Sequence, residues 1–278
     1  WQKLRLPRAA VEALEIGYNG KARAMLQEAA AAWKPDIVYE RHALHCRAGL
    51  DAARKLSVPL LLEVNSPMTD EMERLGLLKF ARRARATERL VLGGADRVLA
   101  VTRALGDRLV ELGARPESIV VIGNGAQPER YGADARAAAK EVRKRWGLPP
   151  QAVVLGFVGF MREWHRLDMA VDALTKPAFR NAHLVLVGEG PDKERIAALG
   201  GDRVRFLGGL PPDQVADACR ACDVLTLPSE REGWPNVVTE ALASGLRVVA
   251  TTVGGIPEIL GNASPSDGTL GRLVPWND

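Results

Sequence analysis

The sequence predicts an α/β protein built from two doubly wound parallel sheets, the first of them incomplete. Three observations carry that expectation. Short apolar runs alternate with longer amphipathic stretches along all 278 residues. Each run is β-branched and apolar on both faces, as parallel strands covered by helices are. A charged, turn-rich stretch then separates two series of such β-α units.

The first series occupies residues 1–127. Its runs lie at 36–39, 59–64, 97–101 and 118–122, with helical segments such as 48–55 and 104–112 between them. The turn signal Gly123-Asn124-Gly125 closes it. Residues 128–150 hold no apolar run. They read as an interdomain connection carrying a charged surface helix at 133–146, ended by Gly147 and Pro149-Pro150. The second series fills 151–278, with strands expected at 152–158, 183–187, 204–207, 224–227, 247–250 and 271–274. Six strands make a complete Rossmann-like sheet, whereas the first series supplies only four. The chain also stops just after its last strand, so material is expected to be missing at both ends.

Composition narrows the function classes. Hydrophobic residues make up 47%, charged residues 26% and aromatics 5%, a globular balance that excludes disordered and fibrous classes. No stretch reaches the roughly 18 apolar residues of a membrane span, and the first residues lack the apolar core of a signal peptide. Cys46, Cys219 and Cys222 cannot build a disulfide scaffold, which points to a reducing, cytoplasmic setting. Cys219-Arg220-Ala221-Cys222 forms a CxxC, but no second pair or histidine cluster accompanies it, so core packing is the reading.

The net charge of +4 is unevenly placed, with 20 Lys and Arg against 15 Asp and Glu in residues 1–127. Its focus is Lys79, Arg82, Arg83, Arg85 and Arg89. Such a run is a solvated helix face, a helix paired with acids of its own domain, or a patch for an anionic membrane. Without interleaved aromatics it gives no platform for nucleic acid.

The segment richest in chemistry is 228–245. It follows an apolar strand and opens a helix, with Pro235 near the start and Gly245 as the stop. In a doubly wound fold this turn lies at the carboxyl end of the sheet, where ligands bind. The free amides of Asn236 and Val237, with the positive end of the helix dipole, suit a phosphate. Glu232 precedes the helix and Glu240 lies within it, so a carboxylate stands on either side of the anion site. That arrangement fits a ligand with a central diphosphate and hydroxyl-bearing groups at both ends. The competing reading makes the two glutamates a helix-cap acid and a solvated helix face.

This pattern resembles the E-x7-E motif of retaining GT-B glycosyltransferases of family 4. Further pieces match in order and spacing: Ala95-Asp96-Arg97-Val98, Ile122-Gly123-Asn124-Gly125, Val187-Gly188-Glu189-Gly190-Pro191, and Gly245–Thr251 with Gly254-Gly255-Ile256-Pro257-Glu258. The resemblance implies a GT-B fold and transfer of a sugar from a nucleotide-diphosphate sugar to a hydroxyl acceptor. Retention of configuration by front-face attack, no cofactor and no metal are also implied. It places Glu240 on the donor ribose and Glu232 by the transferred sugar. The backbone of Gly233, Trp234, Pro235, Asn236 and Val237 then surrounds the sugar and phosphates, with Gly159 nearby.

The family's usual arginine and lysine positions after Gly159 hold Phe160 and His165. The segment is more similar to a subgroup reading R-x-W-H-G, which makes Arg162 and His165 the cationic pair for the diphosphate and puts Arg166 where glycine stands. Asn65 occupies the place of a histidine near the sugar and can hydrogen-bond but not act as a base. Asn65, Arg41 and His42 are acceptor-side candidates, with Glu40 and His45 beside them. The family builds cell-envelope glycans, so a lipid-linked acceptor and peripheral contact with the inner face of a membrane fit the basic run. Two alternatives stay open, a nucleotide-sugar epimerase and a catalytically silent nucleotide-binding fragment.

Overall fold

A computed structural model describes residues 7–131, 136–261 and 271–275. The chain divides into two compact units, Trp1–Gly123 and Asn124–Asp278. In the first, the elements run α1 (Arg8–Trp33), β1 (Val38–Arg41), α2 (Ala48–Leu56), β2 (Leu60–Val64), α3 (Met68–Arg74), α4 (Ala81–Gly94), β3 (Arg97–Ala100), α5 (Arg103–Leu112) and β4 (Ile119–Val121). The four strands are parallel in the order β1-β2-β3-β4. That order never reverses, so these strands contain no topological switch point.

Alternation sets the core of this sheet. Leu60, Leu62, Val64, Val98 and Ala100 are buried, and Leu50, Leu92 and Leu109 from the helices are buried with them. Each fully buried leucine contributes about 1.5–3 kcal/mol. The other face departs from the expected apolar run, because Tyr39 is 57% exposed and shares that face with Arg41 and Glu63. Local signals close the helices. The Thr102 hydroxyl accepts the Leu105 amide at 2.9 Å to cap α5, and Gly113 ends it in a left-handed conformation (φ 119°).

One aspartate fixes the start of β2 against β3. The Asp96 carboxylate accepts the Leu60 amide at 2.8 Å, and the Asp96 amide donates to the Leu60 carbonyl at 3.0 Å. A second acid anchors α1, a helix that apolar periodicity did not flag. Glu12 is fully buried and accepts the amides of Lys79 and Phe80 at 2.7 and 2.8 Å, where α4 begins. Its Oε1 also lies 2.8 Å from His45 Nε2.

The second unit runs α6 (Pro128–Tyr131), α7 (Arg136–Arg145), β5 (Val153–Val158), α8 (Leu167–Thr175), β6 (Ala182–Val187), α9 (Lys193–Gly200), β7 (Val204–Gly208), α10 (Pro212–Ala221), β8 (Val224–Leu227), α11 (Asn236–Ala243), β9 (Arg247–Thr251), α12 (Ile256–Leu260) and β10 (Gly271–Val274). All six strands are parallel in the order β10-β9-β8-β5-β6-β7. The chain reverses direction across the sheet between β5 and β8. That pair is the switch point, where the loops diverge and leave a crevice. Asp223 repeats the device of Asp96. Its carboxylate accepts the Val154 amide and its own amide donates to the Val154 carbonyl, both at 2.8 Å.

Residues 128–150 are not a free connection. The helix expected from 133 is α7 from Arg136, its first expected residues lying outside those described, and it packs on α10. Arg143 donates to the Ala221 carbonyl at 2.7 Å and pairs with Asp223 at 2.8 Å. Cys219 and Cys222 are buried in the same core, where desolvation pushes the Cys219 thiol up to about 12 and Cys222 up as well. Such thiols are inert at neutral pH.

Glu12 yields a stability test. Burial raises its pKa, but the Lys79 and Phe80 amides and His45 outweigh burial and hold it below the usual carboxylate range. A depressed folded pKa stabilises the fold above the unfolded value near 4.5, and the stability is lost as pH falls through the folded value. Glu12→Ala is expected to destabilise the first unit by about 2–4 kcal/mol at pH 7, read by urea denaturation, because it strands two amides and a buried imidazole. The deficit should shrink below pH 4. An unchanged midpoint at pH 7 would remove Glu12 from this role.

Candidate functional site

The loops that leave β5 and β8 carry the expected site residues in the second unit. After β5, residues 159–162 lead into a short 3-10 turn, Glu163–His165. After β8, residues 228–235 lead into α11. Backbone hydrogen bonds join them: the Glu230 amide donates to the Trp164 carbonyl at 2.8 Å, and Met161 donates to Glu189 O at 2.7 Å. The Gly255 amide donates to Gly233 O at 2.7 Å. Gly254 has φ 55°, and a Cβ there would overlap the Glu232 carbonyl oxygen, so the paired glycines are required for this close approach.

No side chain caps α11, which leaves its first amides for another acceptor. Glu232, on the loop before it, is largely buried, and burial pushes its carboxyl above the usual range. His165 Nε2 lies 3.8 Å from Glu232 Oε1, too far for a hydrogen bond. Arg162 is exposed on the opposite loop. Its guanidinium sits 4.8 Å from the Phe160 ring and 5.2 Å from the Trp164 ring, while Arg231 sits 4.2 Å over the same Trp164. The aromatic pair holds the cation by its faces, which leaves the N–H fork for an anion.

The sequence reading makes His165 a second cation, which needs a neighbouring phosphate to stay charged. In the chain alone, burial and then the neighbouring Arg162 charge lower its pKa to about 4. The Arg162 amide donates to His165 Nδ1 at 3.1 Å, so the neutral ring carries its proton on Nε2. In that state it is a hydrogen-bond donor. Arg166, in the place of a glycine, adopts a left-handed backbone (φ 46°), and its guanidinium pairs with Asp168 at 3.0 Å and Glu230 at 3.2 Å.

Glu240 has a partner that sequence reasoning missed. Burial, and then the Glu240 carboxylate to which it hydrogen-bonds, push the Tyr131 phenol up to about 12. Asn124 was missed too. Its side chain donates to Asn236 Oδ1 at 2.9 Å, and its carbonyl accepts the Trp234 indole N–H at 2.9 Å. Its traces in the sequence were the Gly123-Asn124-Gly125 turn signal and the family-like motif at 122–125.

The acceptor-side candidates lie in the first unit. Arg41 pairs with Glu63 at 3.0 Å, and Asn65 donates to the same oxygen at 2.9 Å, while Tyr39 donates to the other at 2.6 Å. His42 does not join them. Its side chain is buried 3.5 Å from Glu88, and neither ring nitrogen has a hydrogen-bond partner. In the basic run, Arg85 is taken up by Asp70 and Glu73, whereas Arg82, Arg83 and Arg89 are exposed.

Comparison with known proteins gives two family matches. Residues 2–125 match the "Glycosyl transferase 4-like domain" and residues 152–278 match "Glycosyl transferases group 1". A D-inositol 3-phosphate glycosyltransferase of Streptomyces bingchenggensis is 34% identical over 264 residues, covering 87% of this chain and 56% of that protein. A 2-deoxystreptamine glucosyltransferase of Streptomyces kanamyceticus is 32% identical over 231 residues, covering 79% of this chain and 59% of that protein. The chain thus spans little more than half the length of these relatives. Anabaena Alr3699/HepE, solved with UDP, superposes with a TM-score of 0.71 at 23% identity, over 91% of this chain and 68% of that one.

The protonation state of His165 is directly measurable. Nitrogen-detected NMR should show a neutral ring protonated on Nε2 at pH 7, with a titration midpoint near 4. A midpoint at or above 6.5 would restore the cationic reading.

Proposed function

From a chain with the GT-B glycosyltransferase fold, whose two units match two glycosyl transferase domain models, we propose a retaining glycosyltransferase. It moves a sugar from a nucleotide-diphosphate sugar to a hydroxyl acceptor. The observation that carries this reading is the convergence, at the β5/β8 switch point, of Arg162, His165, Glu232 and the uncapped start of α11. The UDP held by the Anabaena protein makes a uridine nucleotide the first donor to test.

In this reading the diphosphate lies against the free amides at Asn236 and Val237 and the fork of Arg162. Glu240 takes the ribose hydroxyls, with Tyr131 orienting its carboxylate. The sugar rests by Gly233, Trp234 and Glu232, and His165 Nε2–H donates to a sugar hydroxyl or phosphate oxygen. The acceptor oxygen attacks the anomeric carbon on the face from which the diphosphate departs. The bond from that carbon to the phosphate oxygen breaks, and the acceptor proton passes to the departing oxygen. Charge grows on the diphosphate as it leaves, so Arg162 and the α11 dipole act most strongly in the transition state. The reading calls on no metal, since fixed protein charge serves that end. Arg41 and Asn65, gathered at Glu63, belong to the acceptor side. The exposed Leu75, Leu77 and Phe80 beside Lys79 and Arg82 favour peripheral contact with an anionic membrane, and with it a lipid-linked acceptor in envelope glycan synthesis.

Calorimetry with UDP tests the donor assignment. Glu240→Ala should weaken binding about tenfold or more, since it removes a charged acceptor; equal affinity would remove Glu240 from the donor. Arg162→Ala should lower kcat with little change in KM, as expected for a group acting on the departing charge. A rise in KM at constant kcat would make Arg162 a ground-state binder. Product analysis with UDP-glucose alone separates an epimerase, which converts its donor without an acceptor.

A further inference from the structure

Within the first unit, α1, the loop after β1 and the first half of α4 wall a cavity of about 430 Å³. Arg23, Arg47 and Arg83 line it, one from each segment. Asp51 answers two of these charges. Arg47 binds it through two nitrogens at 2.7–3.2 Å, and Arg23 reaches it at 3.3 Å. Arg83 pairs with none of the described acids. The wall therefore keeps a net positive charge whose one unengaged guanidinium sits on a regular helix.

The wall is built rather than incidental. Asn19 donates to the His45 carbonyl at 2.8 Å and accepts the Arg47 amide at 2.8 Å, locking two lining residues together. His45 is 4% exposed and holds a left-handed backbone (φ 60°) that a non-glycine residue adopts only under constraint. Its Nε2 is committed to Glu12, which already takes two α4 amides. Its Nδ1 is buried with no hydrogen-bond partner.

We propose that this cavity binds a phosphate monoester, anchored by Arg83. Such a group offers three oxygens and up to two negative charges to the guanidinium forks, where a carboxylate offers two oxygens and one charge. Thr87 adds a hydroxyl to the polar wall, and Ile16 and Leu90 leave room for a short carbon skeleton in a cavity of ordinary ligand size. The phosphate belongs either to a free ester or to a lipid headgroup. The inference does not depend on the donor site, since none of the lining residues belongs to it.

The test uses the whole chain in two arms. Calorimetry with glycerol 3-phosphate probes the free ester. Co-sedimentation with phosphatidylcholine vesicles, with and without phosphatidic acid, probes the lipid phosphate. Arg83→Gln should weaken the binding seen in either arm about tenfold, and should leave the melting temperature unchanged because the side chain is exposed. Lys21→Gln removes one positive charge from the exposed side of α1, outside the cavity, and should retain parental binding. Heat with glycerol 3-phosphate assigns a free ester; binding confined to phosphatidic acid vesicles assigns a lipid phosphate. No binding in either arm, equal loss in both variants, or equal binding to plain phosphatidylcholine overturns the proposal.

Discussion

The candidate donor site depends on backbone hydrogen bonds between loops that leave different strands of one sheet. Met161 to Glu189, Glu230 to Trp164 and Gly255 to Gly233 link four loops at the carboxyl ends of β5, β6, β8 and β9. Main-chain bonds have no rotamers to lose, so they hold the site whatever side chains occupy it. The short sequence motifs of these loops are mainly glycines for that reason. Gly188 shows the same constraint as Gly254: at φ 122° a Cβ would overlap the Gly159 carbonyl oxygen. The acids and cations of the site are hung on a mesh that only small residues can close.

Electrostatics within that mesh is less uniform than a row of charges. Arg162 and Arg231 both lie over Trp164, His165 is neutral, and Glu232 is shifted towards its protonated form. The crevice thus combines two aromatic-held cations, a neutral donor and a carboxyl made more basic by burial. Such a mixture favours an anion at one end and hydroxyl groups at the other, without a fixed ion pair that must first be broken.

Much of this was legible in the sequence. Apolar runs marked the ten strands of the described residues, most plainly in the second sheet, where burial on both sides leaves little room for polar residues; in the first, Tyr39, Arg41 and Glu63 make one face polar. The 228–245 segment was legible as a ligand turn at the carboxyl end of the second sheet, whereas the strand order that makes it part of the switch point came from the fold. What escaped were pairings between residues distant in sequence that obey no period. Glu12 meets His45 and Lys79, Tyr131 meets Glu240, and Asn124 meets Trp234. The charge state of His165 escaped as well, since it is set first by burial, with Phe157 of β5 packed on the ring, and then by the neighbouring Arg162 charge. Arg166 stands where glycine was expected, and only the fold reveals that it tolerates the glycine's conformation while its side chain serves a separate ion-pair cluster.

The reciprocal aspartate bonds at Asp96 and Asp223 bear on how the chain acquires its shape. Each joins the start of one strand to the start of its neighbour, so forming it fixes the alignment of the whole pair in a single event. Asp96 reaches back 36 residues and Asp223 reaches back 69. Closing the longer segment costs about 0.6 kcal/mol more in chain entropy, since each doubling of a flexible loop adds roughly that amount. The shorter span of Asp96 therefore closes at the lower cost in chain entropy, and that of Asp223 encloses α8, α9 and α10 within the segment it closes.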